Sequence, residues 1–172
     1  TLLLMSGDYD KIAKERLEQE KYLLLYARRY NPKMEEYAER IAAENGWKII
    51  EISLHATNAE KPNRRMFYEA GVEEFLSLVK YAECVITNSF HGMIFAVQYC
   101  RPFYVFSRER CDTKITELLE LFELSECMVS PEQVKELSVP QIDYQIVHER
   151  IAMARSASKE FLMMEMNLLE EK

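Results

Sequence analysis

Short apolar runs alternate along the chain with segments in which apolar residues recur at three- and four-residue spacings. Runs of this kind have the length of β-strands, and the periodic segments are typical of amphipathic helices. The strands are predicted at 22–27, 47–53, 84–87, 103–106 and 127–129, the last as an edge strand. The helices are predicted at 32–45, 72–82, 93–99, 113–122 and 143–172. This alternation predicts an α/β protein whose parallel sheet is flanked by helices.

Turn-forming residues mark the ends of several elements. Asn31 and Pro32 suit the start of a helix, because asparagine caps free N–H groups and proline fits the first helical position. Gly46 suits the end of the same helix, where a left-handed residue is needed. The segment 54–70 is polar and has neither period, which predicts a long loop. Pro131 is predicted to begin a short helical turn.

The size and composition predict one globular domain. The chain has 172 residues, of which 48% are hydrophobic and 30% are charged. Residues 143–172 are expected to close this domain as a C-terminal helix. The chain opens with Thr1 rather than with methionine, so we expect it to be part of a longer polypeptide.

The charge and the apolar runs argue against several classes of partner. A net charge of −7 does not suit a nucleic-acid or anionic-membrane surface, which needs clustered Lys and Arg. No apolar run reaches the roughly 18 residues of a transmembrane segment, and no signal-peptide pattern opens the chain. The four cysteines form no CxxC pair, which favours reduced thiols. We therefore expect a cytoplasmic protein, with peripheral contact to the inner face of the membrane left open.

The candidate chemistry lies in the segment TNSFHG, residues 87–92, between a predicted strand and a buried helix. In a parallel sheet, ligands gather at such junctions, where helix N-termini present free N–H groups. Asn88 and Ser89 can donate to a substrate, Gly92 allows close approach to the backbone, and His91 can move a proton near neutral pH. The alternative is that His91 merely hydrogen-bonds a neighbouring loop.

The sequence around this segment resembles a known family. Residues 71–106, GVEEFLSLVKYAECVITNSFHGMIFAVQYCRPFYVF, are similar to the signature region of the polysaccharide pyruvyl transferases, with its T-[DN]-S-F-H-G turn. A weaker resemblance covers residues 1–125. The chain departs from the usual family pattern at Asn88, where many relatives carry aspartate, and at Met93, where a small polar residue is usual.

The resemblance implies a fold and a reaction. The fold is GT-B-like, with two Rossmann-like domains facing a cleft, and this chain would supply the C-terminal one. The reaction transfers pyruvate from phosphoenolpyruvate, as a ketal, to a sugar of a cell-surface polysaccharide, and the acceptor is a glycan or a lipid-linked sugar. The residue matching His91 is the family's candidate catalytic residue. No cofactor is implied, because phosphoenolpyruvate is itself the donor substrate.

Basic residues are needed for the phosphate and carboxylate of such a donor. Arg108, Arg110 and Lys114 follow the fourth predicted strand and are candidate substrate-binding residues, together with Asn88, Ser89 and Gly92. Arg64 and Arg65, in the predicted long loop, are further candidates. For each basic residue the alternative is an ordinary solvated surface charge.

Other functions are less well supported by the sequence. His55, His91 and His148 lie far apart and no Cys/His cluster occurs, which argues against a metal site. No GxGxxG or GxxxxGK[ST] motif is present. Glu109 and Glu117 have the spacing of a nucleotide-sugar motif, so a glycosyltransferase donor domain is the second hypothesis. A non-catalytic module that binds a glycan or a partner is the third. We expect the isolated 172-residue chain to be inactive and to expose an apolar patch near its C-terminal helix.

Overall fold

The computed structural model describes residues 2–53, 61–68, 70–106, 113–129 and 138–170. Within these ranges the chain forms one sheet of six parallel strands, in the spatial order β3-β2-β1-β4-β5-β6. The strands are β1 Tyr22–Tyr26, β2 Lys48–Ile52, β3 Arg64–Met66, β4 Cys84–Thr87, β5 Phe103–Phe106 and β6 Met128–Val129. The predicted α/β class with a parallel sheet is confirmed.

Helices connect and cover these strands. They are α1 Ser6–Asp10, α2 Pro32–Asn45, α3 Val72–Lys80, α4 Phe90–Gln98, α5 Thr113–Leu121 and α6 Tyr144–Glu170, with a 3₁₀ turn at Ser125–Cys127. The side chain of Asn31 caps α2 by accepting hydrogen bonds from the Lys33 and Met34 amides at 3.0 and 3.2 Å. Gly46 ends α2 in the left-handed conformation, with φ of 66°, as its sequence predicts.

The sheet separates two hydrophobic cores. Alternate residues of β1 point to opposite faces, so that Leu24 joins a core with α3, α4 and α5, whereas Leu23 joins a core with α2. Strands β1, β4 and β5 are therefore buried on both faces, which explains their continuous apolar sequences. Helix α4 is buried almost all round, as its apolar sequence predicts.

Strand β3 was not predicted. The long loop predicted for 54–70 is wrong at residues 64–66, which form this strand. β3 pairs in parallel with β2 at the edge of the sheet. Its sequence begins with two arginines rather than with apolar residues, and its burial rests on ion pairs of Arg64. Helix α1 was not predicted either. Residues 54–60 and the turn predicted at Pro131 lie outside the described residues.

Helix α6 packs on the domain only through its first turns. Val147 and Ile151 are buried in the larger core, whereas every side chain from 156 to 167 is exposed. Apolar side chains of this helix are accordingly exposed, as expected: Met153, Phe161, Leu162, Met163, Met164 and Met166. Among the described residues, no helix is long and apolar enough to cross a membrane.

Candidate active site at the carboxyl edge of the sheet

Strands β1 and β4 are neighbours at the centre of the sheet, and the chain leaves them in opposite directions. The segment after β1 leads to α2 on one face, and the segment after β4 leads to α4 on the other. In open parallel sheets a crevice forms outside the carboxyl ends of two such strands, and ligands bind there. The predicted TNSFHG segment, residues 87–92, lies at this crevice.

Asn88 joins the two sides of the crevice. Its side-chain oxygen accepts a hydrogen bond from the Arg28 amide at 2.8 Å, and its side-chain nitrogen donates to the Arg29 carbonyl at 2.7 Å. The residue is 1% exposed. In this structure the Asn88 amide therefore positions the loop after β1, which differs from the direct substrate contact that the sequence predicts for it.

Thr87 and Gly92 pack against each other below the start of α4. The Thr87 hydroxyl donates to the Tyr26 carbonyl at 2.7 Å and accepts from the Ser89 amide at 3.0 Å. A Cβ atom at Gly92 would lie 2.4 Å from the same hydroxyl oxygen. The missing side chain of Gly92 thus accommodates Thr87, whereas the sequence predicts that it accommodates a ligand.

Ser89 occupies the N-cap position of α4. It is 3% exposed, and its hydroxyl makes no capping hydrogen bond. The first N–H groups of a helix have no partner within the helix and carry a partial positive charge. The start of α4 therefore suits an anion, although the Ser89 side chain itself is buried beneath it.

His91 lies in the first turn of α4 and is exposed. Its ring contacts Phe90 edge-on, with centroids 5.7 Å apart. The imidazole also lines a cavity of about 280 Å³ with residues from the ends of β1 and β2 and from the start of α3. His91 is thus accessible to a substrate, as its predicted role requires.

The predicted basic residues have different surroundings. Arg108 and Arg110 lie outside the described residues. Lys114 is exposed in the first turn of α5, so its ammonium group is accessible. Within the described parts of the chain, no group of three or more His, Cys, Asp or Glu side chains is arranged to hold a metal ion.

Arg64 is a structural residue rather than an anion-binding one. Its side chain is 1% exposed and contacts Glu51 at 2.6 Å, Glu35 at 2.9 Å and Glu39 at 2.8 Å. Burial opposes ionisation of Glu35, but Lys61 and Arg64 outweigh it and hold the pKa of that carboxyl below its usual value.

Arg65 is also engaged with protein groups. Its guanidinium lies 3.3 Å from a carboxylate oxygen of Glu18 and 4.6 Å from the ring centroid of Phe67. The predicted anion-binding role of Arg64 and Arg65 is therefore not supported, because both guanidinium groups are committed to contacts within the domain.

Two basic residues that the sequence analysis missed lie at the crevice. Arg28 and Arg29 follow β1 directly, and their backbone is bonded to Asn88. Both side chains are exposed, and neither makes an ion pair with another described residue. Their position directly after an apolar strand was the available signal, but only the adjacency of β1 and β4 brings them to the TNSFHG segment.

The fold and the site define the class of protein. A six-stranded parallel sheet in this order, with a crevice between β1 and β4, is a Rossmann-like fold. The family model for polysaccharide pyruvyl transferases matches residues 1–110 of the chain. The chain therefore belongs to the polysaccharide pyruvyl transferase family.

One solved structure supports the fold. The calicheamicin glycosyltransferase CalG4 is similar with a TM-score of 0.54 and 14% identity over 87% of this chain and 44% of that one. The UDP-GlcNAc 2-epimerase of Methanocaldococcus jannaschii, in complex with UDP-GlcNAc and UDP, is similar with a TM-score of 0.49 and 15% identity over 86% of this chain and 40% of that one. The chain thus spans less than half the length of either protein. No curated protein sequence is a significant match.

Proposed function

We propose that this chain is the C-terminal domain of an enzyme that transfers pyruvate from phosphoenolpyruvate to a pair of sugar hydroxyl groups, forming a ketal. The observation that carries the proposal is the position of His91, exposed in the first turn of α4 at the central crevice of the sheet. The acceptor is a glycan or lipid-linked sugar destined for a cell-surface polysaccharide. We place the reaction in the cytoplasm, at the inner face of the membrane.

The reaction needs a group that both gives and takes a proton. His91 gives one proton to the methylene carbon of the donor, which makes C2 electrophilic, and it regains a proton from the first sugar hydroxyl as the two sugar oxygens form bonds to C2. The bond from C2 to the phosphate oxygen breaks, and the second hydroxyl proton leaves with phosphate. His91 is the catalytic residue in this scheme, since imidazole gives and accepts protons near neutral pH.

The donor carries a phosphate and a carboxylate, and both require positive groups. The start of α4 offers free N–H groups. Arg28 and Arg29 lie across the crevice with exposed side chains. Together with Arg108, Arg110 and Lys114, they would neutralise the anion and stabilise departing phosphate.

A second Rossmann-like domain would complete the active site. The solved structures with this fold are more than twice as long as the stretch that the chain covers. We therefore propose that the 172-residue chain alone is inactive and that its crevice faces a partner domain. No cofactor takes part, because the donor supplies the transferred group.

The test is pyruvyl transfer by the full-length protein and by its His91→Ala variant. We expect His91→Ala to lower turnover by about 10²- to 10⁴-fold without changing the urea midpoint of unfolding. His148→Gln is the matched control, because it removes an exposed imidazole from α6, and it should retain full activity.

Two results would contradict the proposal. Undiminished turnover in His91→Ala would exclude the catalytic role of that residue. The second result concerns hydrogen exchange. Phosphoenolpyruvate should protect the amides of residues 87–92, and the absence of this protection would contradict the proposal. Protection by nucleotide sugars alone would instead identify a glycosyltransferase, and protection by neither donor a non-catalytic module.

A further inference from the structure

A second binding region adjoins His91 on the side of the sheet that carries α3 and α4. It is the cavity of about 280 Å³ that lies at the ends of β1 and β2, and we call it the aromatic pocket. Besides His91, its lining includes Tyr26, Ile52, Val72, Phe75 and Phe95. Its volume lies just below the usual range for small-molecule sites, which is about 300–1,000 Å³, so it suits a single small group.

Three rings form one wall of the aromatic pocket. Tyr26 and Phe75 have ring centroids 5.0 Å apart, and Phe75 and Phe95 have centroids 5.6 Å apart. Tyr26 and Phe75 are only half-buried, so parts of their rings face the opening. Aromatic rings of this kind offer apolar area together with an electron-rich face, which attracts polarised C–H groups.

Among the described residues, the aromatic pocket has few polar side chains. The Tyr26 hydroxyl makes no hydrogen bond with any described residue, and His91 supplies an imidazole. None of the described lining residues is a lysine, an arginine or a carboxylate. A ligand of this pocket is therefore expected to be neutral and to carry both hydroxyl groups and an apolar face.

Two exposed basic residues follow β1 at the same crevice. Arg28 and Arg29 belong to the segment that leads to α2, on the opposite face of the sheet from the aromatic pocket. The aromatic pocket and the segment that carries Arg28 and Arg29 thus lie on different faces of the sheet. This separation suits a reaction between a neutral diol and a multiply charged anion, because each substrate then meets surroundings of matching polarity.

We propose that the aromatic pocket holds the acceptor sugar, and this proposal rests on the proposed function. The C–H face of one pyranose ring packs on Tyr26 and Phe75, and the Tyr26 hydroxyl hydrogen-bonds a ring hydroxyl. This arrangement presents the reacting hydroxyl pair to His91. The remainder of the glycan extends from the pocket into solvent beside Val72, which is 66% exposed.

Two variants test the pocket and leave the buried core residues unchanged. Tyr26→Phe removes only the hydroxyl and retains the ring that packs on Phe75. Val72→Arg introduces a long cationic side chain at an exposed position beside the opening. Met153→Arg is the control, since residue 153 is 74% exposed on α6 and lies outside the pocket lining.

The measurement is saturation-transfer NMR of the full-length protein with the methyl pyranosides of glucose, galactose and mannose. We expect at least one pyranoside to bind, Tyr26→Phe to weaken it about tenfold by the loss of one hydrogen bond, and Val72→Arg to abolish it. Met153→Arg should bind like the wild type. In turnover assays the same two pocket variants should raise the KM for acceptor and leave the KM for phosphoenolpyruvate unchanged.

The results separate this proposal from the proposed function. Absence of binding by all three pyranosides, or equal binding in the wild type and both pocket variants, would overturn the acceptor site. A nucleoside monophosphate that binds the pocket in preference to every pyranoside would overturn it in favour of a nucleobase. Pyranoside binding that responds as expected, in a protein that cannot use phosphoenolpyruvate, would retain the sugar site and refute only the pyruvyl transfer.

Discussion

Gly92 and Thr87 pack so closely that no other residue fits at position 92 without a shift in structure. A Cβ atom there would lie 2.4 Å from the Thr87 hydroxyl oxygen and 3.0 Å from both Thr87 side-chain carbons. Thr87 cannot move freely, because its hydroxyl bonds the Tyr26 carbonyl and the Ser89 amide. The glycine therefore sets how closely the start of α4, which carries His91, approaches β4.

Gly92→Ala should destabilise the protein and impair the site. Overpacking in a rigid interior costs about 1–3 kcal/mol, and we expect a loss of that size in urea unfolding, together with reduced turnover. Gly7→Ala is the matched control, because no atom lies within 4 Å of its new Cβ. Equal stability of the two alanine variants would show that α4 adjusts without cost.

Asn88→Ala should also destabilise the protein. The substitution leaves the Arg28 amide and the Arg29 carbonyl without their partner, and the loss of a typical hydrogen bond costs about 0.5–1.5 kcal/mol. Asn45→Ala is a suitable control, since it also removes a side-chain bond to a backbone carbonyl, that of Ile41, but at the end of α2. Faster amide exchange at residues 28 and 29 in Asn88→Ala alone would verify the mechanism, and unchanged exchange would contradict it.

The sequence predicted the fold well where apolar periodicity alone determines it. Strands β1, β2, β4 and β5 and the helices between them follow from that pattern. Strand β3 does not, because Arg64 makes it resemble a polar loop, and its three carboxylate partners are distant in sequence. No local pattern indicates that this arginine is buried.

The site was predicted only in part, for a similar reason. His91 could be placed at the carboxyl edge because it follows a buried strand directly. The partners of Asn88 lie about sixty residues earlier, and only the pairing of β1 with β4 brings them together. Spatial order of strands is a property of the whole sheet, so Arg28 and Arg29 were missed.

Arg64→Met should be strongly destabilising. Glu51 is 2% exposed and Glu35 is 6% exposed, so the variant leaves two buried carboxylates without this cation. Breaking a buried ion pair by removing one partner costs about 3–5 kcal/mol. Urea unfolding should report a loss of this size, whereas Arg40→Met, which removes a loose surface pair with Glu44 and a cation–π contact with Tyr37, should cost much less.

The Glu35 carboxylate should make stability depend on acid pH. Its folded pKa lies below the usual value of 4.5, because Lys61 and Arg64 outweigh the effect of burial. The stabilisation is therefore fully present above pH 4.5 and is lost as the pH falls through the folded pKa. The stability difference between wild type and Glu35→Gln should shrink on acidification. A difference that is constant between pH 7 and pH 3 would contradict this.

Cys84 and Cys127 should be unreactive in the native state. Burial raises the pKa of each thiol to about 12, so almost no thiolate exists at neutral pH. In a variant with Cys100→Ser and Cys111→Ser, a thiol reagent at pH 8 should react only after unfolding in urea. Rapid labelling of the folded variant would show that β4 or the 3₁₀ turn at Ser125–Cys127 opens readily.

The hydrogen bonds of Asn88 also limit how this crevice can adapt. They hold the segment after β1 against the segment before α4. Under the proposed function, differences among acceptors would then be accommodated by the wall that the beginning of α3 forms. Substitutions in that wall would change the acceptor and leave the position of His91 unchanged.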